Sequence, residues 1–114
     1  DKLMANFFAQ TGALAFGKSL GLDMDKVVDV ISTGACGNWV LQHRGKTMLA
    51  GNYQPGFKLS LHHKDLGIIQ AMGKNSTGIT MPLVEMTLSD YQRLMDAGLG
   101  DEDISALFRL KQGT

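Results

Sequence analysis

The 114-residue sequence predicts an all-helical domain of about six helices. Apolar residues recur three and four apart through nearly every segment, and the boundaries carry helix caps, prolines and closing glycines. No alternating run of comparable strength suggests a strand, and no internal repeat or low-complexity tract is present. The first helix is expected over residues 2–21, with Leu3, Phe7 and Leu14 on one stripe and Met4, Phe8 and Ala15 beside it. Asp23 is a good N-cap for a second helix through Val27, Val28 and Ile31, and Gly34 is placed to end it. Trp39, Val40, Leu41, Met48 and Leu49 mark a third helix up to Gly51, followed by a turn at Asn52-Tyr53-Gln54-Pro55-Gly56. A fourth begins at Ser60, carries Leu61, Ile68, Ile69 and Met72, and ends near Gly73. Pro82 opens a fifth bearing Leu83, Val84, Leu88, Tyr91, Leu94 and Met95, which stops at Gly98. Asp101 or Asp103 can cap a last helix with Ile104, Leu107 and Phe108.

Composition narrows the function classes. Lys+Arg and Asp+Glu are balanced at 11 each, so no basic stripe is available to neutralise phosphates, and neither a nucleic-acid nor a membrane partner is expected. The single cysteine, Cys36, excludes an internal disulfide. No apolar run approaches the ~20 residues of a membrane span, and the expected compartment is cytoplasmic. Asn75-Ser76-Thr77 matches a glycosylation acceptor but reads more simply as a polar loop between helices. His62 and His63 are adjacent, diverge by about 100° on a helix and cannot jointly face one ion; they read as surface or boundary histidines, and no metal site is expected.

Two patterns bear on chemistry. Residues 12–19, Gly-Ala-Leu-Ala-Phe-Gly-Lys-Ser, satisfy G-x-x-x-x-G-K-[ST], the phosphate-cradling loop of nucleotide hydrolases. That loop must sit between a strand and a helix with free backbone N–H groups, whereas the periodicity of the first helix runs straight through these residues. A P-loop nucleotide-binding protein is therefore the weaker alternative. Lys2 and Asn6 stand four apart, a spacing at which an ammonium and a carboxamide can both reach one small ligand. Leu3, Met4, Phe7 and Phe8 around them could desolvate the ammonium and lower its pKa toward proton-transfer range. Periodicity alone favours a solvated surface lysine.

In this setting Lys2-Leu3-Met4-Ala5-Asn6 is similar to the K-x-x-x-N of the β-hydroxyacid dehydrogenases, the group that includes 3-hydroxyisobutyrate dehydrogenase, tartronate semialdehyde reductase and the glyoxylate/succinic semialdehyde reductases. Ala13-Leu14-Ala15 through Leu20-Gly21-Leu22-Asp23 resembles that family's E-A-x-x-L-A-x-x-x-G-L-D stretch. Phe57 with Lys64-Asp65-Leu66 resembles its F-x-x-x-L-x-x-K-D-L segment. Pro82, Tyr91 and the run from Gly98 to Leu107 resemble its closing P…Y…G-x-G-x-x-D-x-S-A-L pattern. The ordered set covers nearly the whole chain and is far more specific than any one motif.

The resemblance implies a helical domain like the C-terminal domain of 6-phosphogluconate dehydrogenase, serving substrate binding and oligomerisation across residues 1–114. It implies NAD or NADP as cofactor, held mainly by a dinucleotide-binding domain placed before this one. No G-x-G-x-x-G following a strand occurs in these residues. By resemblance, Lys2 is the catalytic acid/base, Asn6 binds the substrate, and Phe57, Lys64 and Asp65 form the wall beside the cofactor. The implied reaction interconverts a small-molecule 3-hydroxy acid and its semialdehyde, and the chain alone is expected to be inactive. A homo-oligomer, or an exposed apolar patch for a cofactor domain, is expected because Phe7, Phe8, Leu14 and Phe16 are spread around a single helix; a non-catalytic helical dimerisation module is the other alternative. Gly12 stands where the family usually has glutamate, at about 1 kcal/mol of helix propensity, and Asp1 precedes the lysine where small or apolar residues are common. Asp65 is expected to be at least partly buried and hydrogen-bonded near the end of the first helix.

Overall fold

A helix occupies Lys2–Ser19 (α1), and others follow at Met24–Ser32 (α2), Trp39–Leu49 (α3), Leu59–Ser76 (α4) and Pro82–Asp96 (α5). A single 3₁₀ turn, Ile104–Leu107, leads into a short last helix, Phe108–Lys111 (α6). This is a computed structural model that describes residues 2–112, with side chains described from residue 9 to residue 112. No strand occurs among the described residues, and one isolated bridge pairs Lys58 with Asp103. The all-helical expectation is met.

The chain divides into two compact units, one running to Tyr53 and resuming at Phe108, the other spanning Gln54–Leu107. In the first, α1 lies against α2, α3 and α6, and α2 against α3. Its buried residues include Leu14, Val28, Val40, Leu41, Met48 and Phe108. Helix α1 closes where Gly21, at φ +77°, lets Leu22 N–H reach back to the Gly17 carbonyl and Gly21 N–H to that of Lys18. The chain then turns at once into α2, whose cap is Asp23: its carboxylate accepts from Lys26 N–H. Asn38 does the same for α3, accepting from Leu41 N–H at 2.9 Å. Gly17 faces Met24: a Cβ there would lie 3.0 Å from the Met24 sulfur and methyl, so the glycine admits the methionine against α1.

Gly12 is different, because it is exposed and a Cβ would meet nothing within 4 Å. The glycine costs helix propensity and gives no packing in return. Gly12→Ala should therefore stabilise the domain by about 0.5–1 kcal/mol, read as a shift in the urea midpoint at unchanged slope. A loss of stability would mean that residue 12 is not in unstrained helix.

In the second unit α4 and α5 lie side by side, and both touch the 3₁₀ turn. Val84, Thr87, Tyr91 and Leu94 form the buried stripe of α5 and meet Leu59 and Leu66 of α4 in a core completed by Ile104, Ala106 and Leu107. Helix α4 runs on to Ser76, past the expected stop at Gly73. A Cβ at residue 73 would lie 2.9 Å from the Met81 methyl, so this glycine serves packing of the returning chain rather than termination. Thr77 caps the helix instead, and Asn75 and Ser76 belong to its last turn rather than to a loop. The last helix also departs from expectation, since Ile104–Leu107 is 3₁₀ and only Phe108–Lys111 is α-helical.

Candidate functional site

Phe57 stands just before α4, at a helix start that has no side-chain cap. The orphan amides there are satisfied by the segment after α5. Leu59 N–H donates to the Glu102 carbonyl at 2.8 Å and Ser60 N–H to that of Gly100 at 2.9 Å, while Ile104 N–H returns to the Phe57 carbonyl at 2.9 Å. That segment can double back because α5 ends at Gly98, with φ +83°, where Leu99 N–H bonds the Leu94 carbonyl. The Asp103 carboxylate completes the clamp. One oxygen accepts from Gly56 N–H and Phe57 N–H, both at 3.0 Å, and the other from Ser105 N–H at 3.0 Å and from the Ser105 hydroxyl. Asp103 is 1% exposed. Burial alone would raise its pKa, but the Ser105 hydroxyl and the Phe57, Ser105 and Gly56 amides outweigh it and hold the carboxyl below its ordinary value.

The ring of Phe57 is partly exposed and lies 5.2 Å from that of His62, tilted by 48°. His62 Nδ1 is 2.9 Å from the hydroxyl of Tyr91, which is wholly buried. Burial pushes the Tyr91 phenol well above its ordinary value, and the nearby Asp103 charge adds to this. Burial also lowers the His62 pKa, against the attraction of Asp65, so the imidazole is neutral near pH 7. His62 is thus a boundary histidine, in the first turn of α4, but a half-buried one whose ring is engaged with Tyr91.

Lys64 and Asp65 are both exposed. The expected burial of Asp65 is corrected: the inward stripe of α4 runs through Leu59 and Leu66 with His62, His63 and Gly73 half-buried, and residue 65 is turned about 100° from Leu66. The outward face carries Leu61, Ile68, Ile69 and Met72, each between 47% and 63% exposed, so the Lys64 and Asp65 charges stand within an open apolar face. Lys2 and Asn6 both belong to α1, but their side chains lie outside the described residues, as do those of Phe7 and Phe8. Leu14 is buried and Phe16 is 66% exposed, which gives the first helix part of the expected apolar surface.

The phosphate-loop alternative is excluded. Residues 12–19 lie within α1, where their N–H groups bond carbonyls one turn back. Gly17 faces Met24, the Lys18 ammonium is 3.5 Å from the Leu49 carbonyl, and the Ser19 hydroxyl donates to the Phe16 carbonyl at 2.6 Å. The three are engaged with separate partners in the first unit. Among the described residues, no helix is long and apolar enough to cross a membrane.

Comparison with known proteins places this geometry in a family. The chain is 51% identical over 83 residues to an uncharacterized oxidoreductase of Shewanella frigidimarina (strain NCIMB 400), a match covering 71% of this chain and 28% of that protein. It is 27% identical over 114 residues to the L-threonate dehydrogenase of Escherichia coli (strain K12), covering 98% of this chain and 37% of the relative. The crystal structure of a 3-hydroxyisobutyrate dehydrogenase from Salmonella typhimurium superposes with a TM-score of 0.80 at 27% identity, over 95% of this chain and 38% of that one. The chain therefore spans little more than a third of the length of the relatives it matches end to end. The family model described as "NAD-binding of NADP-dependent 3-hydroxyisobutyrate dehydrogenase" matches residues 3–111, beginning one residue after Lys2, and the chain belongs to that family.

Proposed function

We propose that this chain is the substrate-binding and oligomerisation part of an NAD(P)-dependent dehydrogenase that interconverts a small hydroxy acid and its semialdehyde or oxo form. What supports the reading above all is the open face of α4, where Lys64 and Asp65 stand among exposed Leu61 and Ile68 on the helix that Phe57 leads into, on a chain of this family. Charged groups set in an exposed apolar face fit a ligand or domain that is itself part apolar and part charged. A dinucleotide has that character: an exposed aromatic ring and an apolar rim suit the nicotinamide, and an ammonium suits its phosphate-bearing side. These residues fit one wall only, because the described residues contain no strand followed by a glycine-rich phosphate loop.

A nicotinamide held against this wall would supply or accept the hydride. In the oxidative direction the neutral Lys2 amine takes the proton of the substrate hydroxyl as hydride leaves the carbinol carbon; in reduction the ammonium returns that proton to the carbonyl oxygen. Asn6, one helical turn on, holds a substrate oxygen through its carboxamide. Phe57, Lys64 and Asp65 line the cofactor side. The substrate class follows the relatives named L-threonate dehydrogenase and glyoxylate/succinic semialdehyde reductase. The exposed Phe16, Leu20, Val30, Leu83 and Met86 suit burial against a second copy, and the cytoplasm is the compartment proposed.

The test is steady-state kinetics of the complete polypeptide with NADH and NADPH against small semialdehydes, and with NAD and NADP against the corresponding hydroxy acids. Lys64→Ala and Asp65→Ala should each lower kcat/KM by about tenfold, the loss of one charge-assisted contact, with unchanged circular dichroism. Lys74→Ala, on an exposed turn further along α4, should match the parent. Turnover with neither cofactor, or parent-like kinetics for both site variants, would sink the reading.

A further inference from the structure

Phe57 is held from two directions in this fold, and the second has no counterpart in the motif that singles the residue out. Its backbone is fixed by the Asp103 carboxylate. Its ring rests against His62, 5.2 Å away between centroids, and His62 in turn is joined to Tyr91, 29 residues on, by the 2.9 Å contact between Nδ1 and the phenol. The His62 and Tyr91 rings also pack together, 5.5 Å apart and tilted by 58°. Tyr91 is 0% exposed, and a buried phenol keeps its proton and needs an acceptor for it. Nδ1 of a neutral imidazole is that acceptor, and when Nδ1 accepts, the ring proton must sit on Nε2. One hydrogen bond therefore fixes both the tautomer and the ring plane.

We propose that His62 is a positioning residue: the Tyr91 hydroxyl locks its imidazole as the Nε2–H tautomer, and the locked ring seats Phe57 against the nicotinamide end of the cofactor. The inference rests on the reading of Phe57 as part of the cofactor wall. His62 itself takes no proton in the reaction. Its surroundings suit this role. The imidazole edge turned to Tyr91 is in the core of α4 and α5, whereas Phe57 keeps 37% of its surface open to a ligand. Removing the hydroxyl leaves the ring of residue 91 in place but frees the imidazole to exchange tautomers and turn, which loosens the seat without opening a cavity.

Two measurements on the complete polypeptide decide it. Nitrogen NMR of ¹⁵N-histidine-labelled protein should show His62 in the parent with an unprotonated Nδ1 and a protonated Nε2, and a mixture of tautomers in Tyr91→Phe. In steady-state kinetics Tyr91→Phe should raise KM for the nicotinamide cofactor about fivefold, the worth of one hydrogen bond, with kcat within about twofold. Combined with Phe57→Ala, the Tyr91→Phe effect should vanish, because there is no longer a ring to seat. Mixed tautomers in the parent would overturn the proposal. So would a Tyr91→Phe effect that simply adds to that of Phe57→Ala while Phe57→Ala alone raises KM; the cofactor-wall reading would then survive without it. If Phe57→Ala left the cofactor KM unchanged, the cofactor-wall reading itself would fall and the inference with it.

Discussion

On the proposed function, Lys2→Ala in the complete polypeptide should lower kcat by about 10²- to 10⁴-fold while changing substrate KM little, the expected loss when a positioned proton-transfer group is removed. The proposed amine acts only on the proton that moves as the hydride moves, so its removal weakens the transition state more than the ground state. Two controls give the result its meaning. Lys2→Arg retains the positive charge but cannot release its proton near neutral pH, and should be nearly as inactive as alanine. Asn6→Ala should raise substrate KM, because the carboxamide is proposed to hold a substrate oxygen in both states. Near-parent turnover by Lys2→Ala would end the acid/base assignment, whatever the behaviour of Lys64 and Asp65.

The largest expected effect on stability falls at Asp103. Asp103→Ala should destabilise the fold by about 3–5 kcal/mol, because it leaves the amides of Gly56, Phe57 and Ser105 without the carboxylate they donate to. Asp103→Asn should lose about 2–3 kcal/mol, since one carboxamide oxygen can still accept but the amide nitrogen meets donors. The aspartate also carries a pH signature. Its folded pKa lies below the ordinary 3.8, so its contribution is fully present above that value and is lost as pH falls through the folded pKa. Urea unfolding from neutral pH downward should show parent stability falling below about pH 4, with a shallower fall in Asp103→Asn. Equal stability of parent and Asp103→Ala would mean that residues 56–57 are held by something else.

Much of this was readable along the chain because the deciding forces are local. Asp23 caps α2 through its own third neighbour, Pro82 starts α5 where no N–H is needed, and Gly98 ends it in the left-handed conformation; each depends on residues within a turn or two. The same locality separated a helix from a phosphate loop at residues 12–19, where apolar periodicity outweighed a matching pattern of glycine, lysine and serine. The order and spacing of motifs from Lys2 to Leu107 carried the family. For the candidate site, the sequence supplied the names Phe57, Lys64 and Asp65 but neither their burial nor their supports.

Those were decided by tertiary structure. Whether Asp65 is buried turns on one residue of helical phase, about 100°, set by which side of α4 meets α5. Gly73 could have been a stop; it lies inside the helix, where its missing Cβ leaves room for the Met81 methyl. Asp103 could have been only a cap for the helix after it; it also holds amides 46 and 47 residues earlier. His62 carried no periodic signal at all, because its role comes from a phenol on another helix, 29 residues away. Caps, turns and apolar stripes are short-range preferences that a sequence displays directly, whereas the partner of a buried polar group is chosen by the packing of whole elements, and only the folded chain brings the two together.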